Sequence, residues 1–141
     1  MPFALLDSNV YIDHWEHGAH ADQLDELRHA FIVRYSAVVL SELRRGAHSA
    51  AARRTVDALR RLATLIWTPT EDDWWRAGEL VQKLGARRGW DTRKKRDVQN
   101  DALIALTAVR HGATVVTSNA ADFELLGREL PLSALFLRAR S

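Results

Sequence analysis

The chain has 141 residues, 47% hydrophobic and 27% charged, the profile of one folded soluble domain and too short for two comfortable ones. With no cysteine, it excludes disulfides, thiolate metal sites and cysteine nucleophiles, and a reducing compartment is compatible. The net charge of +2 and the pI of about 9.4, from abundant arginine, are weak support for a nucleic-acid partner.

Met1-Pro2 leads straight into Phe3-Ala4-Leu5-Leu6, a short apolar run expected to be a buried strand ending at Asp7-Ser8-Asn9. No secretory leader precedes it, and no apolar run nears the roughly 18 residues of a membrane span, so a cytoplasmic protein without membrane association is expected. A short helix carrying Val10, Ile12 and Trp15 should stop at His17-Gly18. A second, over residues 19–30, has Leu24 and Leu27 at helical spacing. Residues 31–35 read as a strand. Ser36 is a good N-cap for a helix over residues 37–45 ended by Gly46, although a strand through Val38-Val39-Leu40 also suits the propensities.

Residues 49–63 form an amphipathic helix with Val56, Leu59 and Leu62 inward and a row of arginines outward. A third strand is expected over 64–68, closed by Pro69. Residues 71–84 run from acidic to basic, as suits a helix dipole. The stretch 85–96 has two glycines, many cations and no apolar periodicity, which predicts an exposed loop. The helix expected at 97–110 is apolar nearly all round and therefore buried, with Asp97 as its N-cap. A strand at 113–117, a short helix at 120–126 and a strand at 133–137 follow. Alternating strands and helices, with strands too apolar for one wet face, predict a parallel α/β sheet covered on both sides, in a single domain spanning residues 1–141.

In such a sheet the functional cleft lies beyond the carboxyl ends of the strands. Asp7 and Asp122 fall there, after the first and fourth strands. Asp101 shares a helix face with Ile104, Ala105 and Ala108, and Glu42 shares one with Val38, Val39 and Gly46. A carboxylate on an apolar face is costly unless paired. Singly, an arginine partner or a partly exposed helix end would answer for Glu42 or Asp101. Several such carboxylates converging on one cleft would instead repel unless divalent cations neutralised them. Oxygen ligands suit Mg²⁺ or Mn²⁺.

Four ordered blocks carry a family resemblance: Leu5-Leu6-Asp7-Ser8-Asn9-Val10; Ser36-Ala37-Val38-Val39-Leu40-Ser41-Glu42-Leu43 with Gly46; Asn100-Asp101-Ala102-Leu103-Ile104-Ala105; and Thr117-Ser118-Asn119-Ala120-Ala121-Asp122-Phe123. The chain resembles PIN domains, and among them VapC-like toxins of VapBC toxin–antitoxin pairs. The resemblance implies a three-layer α/β/α sandwich on a parallel sheet of four to five strands, and a metal-dependent endoribonuclease. Asp7, Glu42, Asp101 and Asp122 then take the acidic positions that bind Mg²⁺ or Mn²⁺ and carry catalysis. Asn9, Thr117 and Asn119 take supporting polar positions. Ser8 matches the polar turn or caps the helix. Ala121 departs from the family, where relatives often carry a basic residue. The implied partners are an RNA substrate, a VapB-like antitoxin and a second copy of the chain.

The cations Arg87, Arg88, Arg93, Lys94, Lys95 and Arg96 would grip RNA phosphates, and Trp90 would stack on an unpaired base. Arg138 and Arg140 either join them or are simply solvated. Trp67, Trp74 and Trp75 are read as core or interface residues. The rival readings are a catalytically silent RNA- or protein-binding module and a DNA-directed nuclease. No Gly-rich phosphate loop is present, and Asn9 stands where a haloacid-dehalogenase-like phosphatase needs its second acid.

Overall fold

The computed structural model describes residues 1–138, so Arg140 lies outside the described residues. Five short strands, β1 (Phe3–Leu6), β2 (Ile32–Ser36), β3 (Ile66–Trp67), β4 (Thr114–Thr117) and β5 (Ser133–Phe136), form a parallel sheet in the order β3-β2-β1-β4-β5. Among the described residues, seven helices surround it: α1 (Ser8–His17), α2 (Ala21–Ala30), α3 (Ala37–Arg45), α4 (Ala50–Leu62), α5 (Glu71–Arg88), α6 (Thr92–His111) and α7 (Ala120–Glu129).

Strand side chains alternate between two cores, which makes the fold a three-layer sandwich. Ala4, Leu6 and Val116 pack with Val10, Leu24 and Leu27 of α1 and α2. Leu5 and Val115 face the other way, into a larger core with Val39, Leu43, Leu80, Leu103 and Phe123 from α3, α5, α6 and α7. Residues 102–106 of α6 are all buried, as their apolar sequence requires, and Asp101 and Thr107 are buried with them. Among the described residues, no helix is long and apolar enough to cross a membrane.

Several local expectations fail for physical reasons. Residues 85–96 are mostly helical: α5 continues to Arg88 and α6 begins at Thr92. Arginine and lysine are good helix formers, and the break needs only Gly89, left-handed at φ +63°, with Trp90 and Asp91. Gly85 lies inside α5, where an added Cβ would stand 3.3 Å from both Lys95 and Trp90. Its role is close packing rather than a turn.

Asp91, not Asp97, caps α6, its side chain accepting from Lys94 N at 2.8 Å. Asp97 is an exposed residue inside the helix. Asp7 rather than Ser8 caps α1. The segment containing Val38-Val39-Leu40 is helical, because Ser36 Oγ accepts from the N–H groups of Val38 and Val39. The third strand shrinks to two residues, Leu62 at the end of α4 is 71% exposed, and Trp74 and Trp75 stand on the surface at 50% and 75% exposure. Trp67 alone of those three tryptophans is core, edge-on to Phe3 and stacked at 3.9 Å on His111.

Candidate active site at the carboxyl ends of β1 and β4

From β1 the sheet grows one way through β2 and β3 and the other way through β4 and β5. The connections leaving β1 and β4 therefore diverge, and a crevice opens beyond the ends of these two central strands. Asp7 N donates to Val116 O at 2.8 Å, tying the end of β1 to β4 on the crevice floor.

Asp7 is 2% exposed and receives three hydrogen bonds: Ser8 N at 2.8 Å on Oδ1, and Asn9 Nδ2 at 3.1 Å and Thr117 Oγ1 at 2.8 Å on Oδ2. Thr117 Oγ1 in turn accepts from Asn9 Nδ2 at 3.3 Å and Asn119 N at 3.0 Å. With two donors arriving, its single proton is directed to Asp7. Ser118 N donates to Asn9 Oδ1 at 3.2 Å. These bonds join the ends of β1 and β4 into one polar floor. Burial pushes the Asp7 carboxyl above its ordinary range, while Thr117, Ser8 and Asn9 pull against it.

Asn119 bridges the next two acids. Its Nδ2 donates to Asp122 Oδ2 at 3.1 Å and, at a longer 3.4 Å, to Asp101 Oδ2. Asp122 sits in the first turn of α7, where the helix dipole favours an acid. Asp101 has no such relief. It is buried in α6, and burial, then Asp7, Asp122 and Glu42, push its carboxyl up to about 9, with Lys94 opposing. Glu42, on α3, is pushed up to about 7 by burial and by Asp7, while Arg45 and the Asn100 amide pull it down. Glu42 Oε1 is buried without a hydrogen-bond partner.

The four acids thus repel one another across a single crevice. Among the described residues, however, no three His, Asp or Glu side chains stand close enough to hold an ion as they are arranged. Lys94 Nζ also donates to both oxygens of Asp122, at 2.8 and 2.9 Å. The donor set still fits a hard divalent cation: all oxygen, mutually repelling, with one buried oxygen unsatisfied.

Of the other cations expected to contact RNA, Arg87, Arg88, Arg93, Lys95 and Arg96 are exposed around the α5–α6 junction, and Trp90 is half-buried against the larger core. Arg138 is exposed beyond β5. The contacts of Asn100 with Glu42 and of Lys94 with Asp122 were not anticipated from the sequence. Asn100 stands directly before Asp101, and that adjacency was the available signal.

The family profile described as the PIN domain matches residues 4–129. The chain belongs to the PIN domain family. No curated protein matches the chain. Among solved structures, this PIN domain is similar to a chain of VapBC2 from Rickettsia felis, bound to a DNA fragment from the promoter, with 20% identity, a TM-score of 0.67, and 96% of this chain and 98% of that one covered. It is also similar to VapBC-1 from nontypeable Haemophilus influenzae, at 18% identity, TM-score 0.65, and coverage of 95% and 97%. A third is VapBC-5 from Mycobacterium tuberculosis, a member of the VapBC family of toxin-antitoxin systems, at 22%, TM-score 0.60, and coverage of 97% and 100%. At such identities the likeness carries the PIN fold alone.

Proposed function

We propose that this chain is a divalent-metal-dependent endoribonuclease and the toxin of a VapBC-type toxin–antitoxin pair. The observation that carries the reading is Asp101, a carboxyl pushed up to about 9 first by its burial and then by Asp7, Asp122 and Glu42 around it. Crowding of this kind destabilises the fold unless a cation joins the group, so it points to function.

In this reading Asp7, Glu42, Asp101 and Asp122 are the catalytic acids that would hold Mg²⁺ or Mn²⁺. When bound, such an ion supplies the charge that activates water and stabilises the leaving oxygen of a phosphodiester. The remaining work belongs to the chain. Asn9 and Thr117 fix the face that Asp7 turns to the crevice, and Asn119 sets Asp122 against Asp101. Arg87, Arg88, Arg93, Lys95 and Arg96 give the crevice mouth a basic rim for the RNA backbone, and Trp90 offers a ring for base stacking.

An apolar cavity of about 270 Å³ between α1, α3 and α4 is lined by Ile12, Trp15, Leu43, Ala47, Ala52 and Val56, next to Glu42 in the chain. We place an apolar segment of a VapB-like antitoxin there, since the solved relatives are VapBC complexes. The exposed Trp74 and Trp75 on α5 are the surface that a homodimer would cover.

Incubating the purified protein with single-stranded RNA or DNA, with Mg²⁺, Mn²⁺ or EDTA, tests the activity. RNA cleavage that EDTA abolishes is expected. Cleavage of DNA instead would make it a DNA-directed nuclease, and no cleavage of either would leave a binding module.

A further inference from the structure

The start of α6 breaks a rule of helix electrostatics. A helix N-terminus carries partial positive charge, so cations there are unfavourable. Yet the Asp91 cap is followed by Thr92, Arg93, Lys94, Lys95 and Arg96, with no acid in the first turn. A local conflict in an otherwise consistent helix points to function.

The cations are not equivalent. Lys95 packs over Gly85. Lys94 reaches inward, and among the described residues it is the only Lys or Arg forming an ion pair with any of the four acids. Its backbone N–H donates to the Asp91 cap, which fixes Lys94 as the third residue of α6. Its ammonium also stands 5.7 Å from the centre of the Trp90 ring. On α7 the residue beside Asp122 is Ala121, which offers no charge.

We propose that Lys94 is the exchangeable cation of the crevice: it holds Asp122 until a divalent ion claims that carboxylate, then turns its ammonium to a phosphate of the nucleic-acid strand. The proposal rests on the metal-dependent nuclease reading. Nζ donates to both Asp122 oxygens and Asn119 takes a further site on Oδ2, so an ion approaching Asp122 meets an ammonium already seated at the carboxylate and is repelled by it. The Lys94 side chain is 39% exposed, so its ammonium can turn to solvent or to a bound phosphate and release does not strand a buried charge. Lys94 therefore weakens metal binding to the free protein and couples it positively to substrate binding.

Calorimetric titration of Mn²⁺ into wild type, Lys94→Met, Lys94→Gln and Lys94→Arg tests the first half without any turnover. Both neutral variants should bind Mn²⁺ about three- to tenfold more tightly, a range set by a partly exposed charge pair, and Lys94→Arg should stay within about twofold of wild type. Equal or weaker binding in the neutral variants that fold overturns the proposal. Failure of wild type to bind Mn²⁺ would overturn the nuclease reading as well, whereas normal wild-type binding with unchanged variants removes Lys94 alone.

The second half is read from binding of a short single-stranded RNA in saturating Ca²⁺ and in EDTA. Lys94→Met should lose about three- to tenfold in affinity with Ca²⁺ and little in EDTA. An equal loss in both conditions, or none in either, contradicts the exchange.

Discussion

Asp101→Asn is expected to lower RNA cleavage by about two to three orders of magnitude while raising the melting temperature of the metal-free protein. The activity loss follows from removing one anionic oxygen donor from the shared crevice. The stability gain follows from the electrostatics. The Asp101 carboxyl has an ordinary value of 3.8 and is pushed up to about 9 in the folded protein. Between those values the folded state holds a proton that the unfolded chain has released. The stability of the protonated form is therefore complete below 3.8 and is lost progressively as pH rises toward 9. Glu42 acts in the same direction between 4.5 and about 7.

An asparagine has the shape of the protonated acid and no charge to bury. In EDTA at pH 8 the variant should melt about 5 °C above wild type, and the two should converge toward pH 4. Thermal melts across that range, beside a cleavage assay, check both parts. Undiminished cleavage would remove Asp101 from the chemistry, and a lower melting temperature at pH 8 would mean that the fold favours its anion.

Asp7→Ala should show the opposite balance, losing cleavage together with about 2–3 kcal/mol of stability. Asp7 caps α1 and is the acceptor for Ser8 N, Asn9 Nδ2 and Thr117 Oγ1. Truncation leaves the Thr117 proton and one Asn9 proton without that acceptor, at the floor of the crevice. Relief of Asp7's own buried charge offsets part of the cost, which keeps the estimate modest. Asp7→Asn retains a capping oxygen and should recover about half of the stability but none of the cleavage. Urea unfolding in EDTA measures the difference. A loss below about 0.5 kcal/mol in Asp7→Ala would show that the hydrogen-bonded floor contributes little. Asp7 and Asp101 thus divide the work, one built into the frame and the other held at a cost to it.

This division could not be read from the sequence, although the residues themselves could. Asp7 and Thr117 end apolar, β-branched or leucine-rich runs that must be buried strands, so their place at the strand ends follows from local pattern. Asp101 and Glu42 stand out because their helical neighbours are apolar. Which carboxyl is held by several short hydrogen bonds and which is mainly crowded depends on contacts between residues more than 100 positions apart, as between Thr117 and Asp7.

The α5–α6 junction departs from its sequence pattern for a different reason. Two glycines and a run of charge imitate a loop, whereas Gly85 is a packing position and only Gly89 turns the chain. Asp97 fits a cap only if α6 begins after the run of cations; the helix begins at Thr92, and Asp91 caps it instead. For the same reason Lys94 looked like its neighbours Arg93 and Lys95. One helical residue is a rotation of about 100°, and that rotation decides which of the three faces Asp122.

Crystals of the protein grown with Mn²⁺ and measured at the manganese absorption edge offer the most direct check. An anomalous peak should appear in the crevice between Asp7, Asp101 and Asp122, with the Lys94 ammonium withdrawn from at least one Asp122 oxygen. A saturated crystal with no peak there, and with each acid paired to its own cation, would contradict the account.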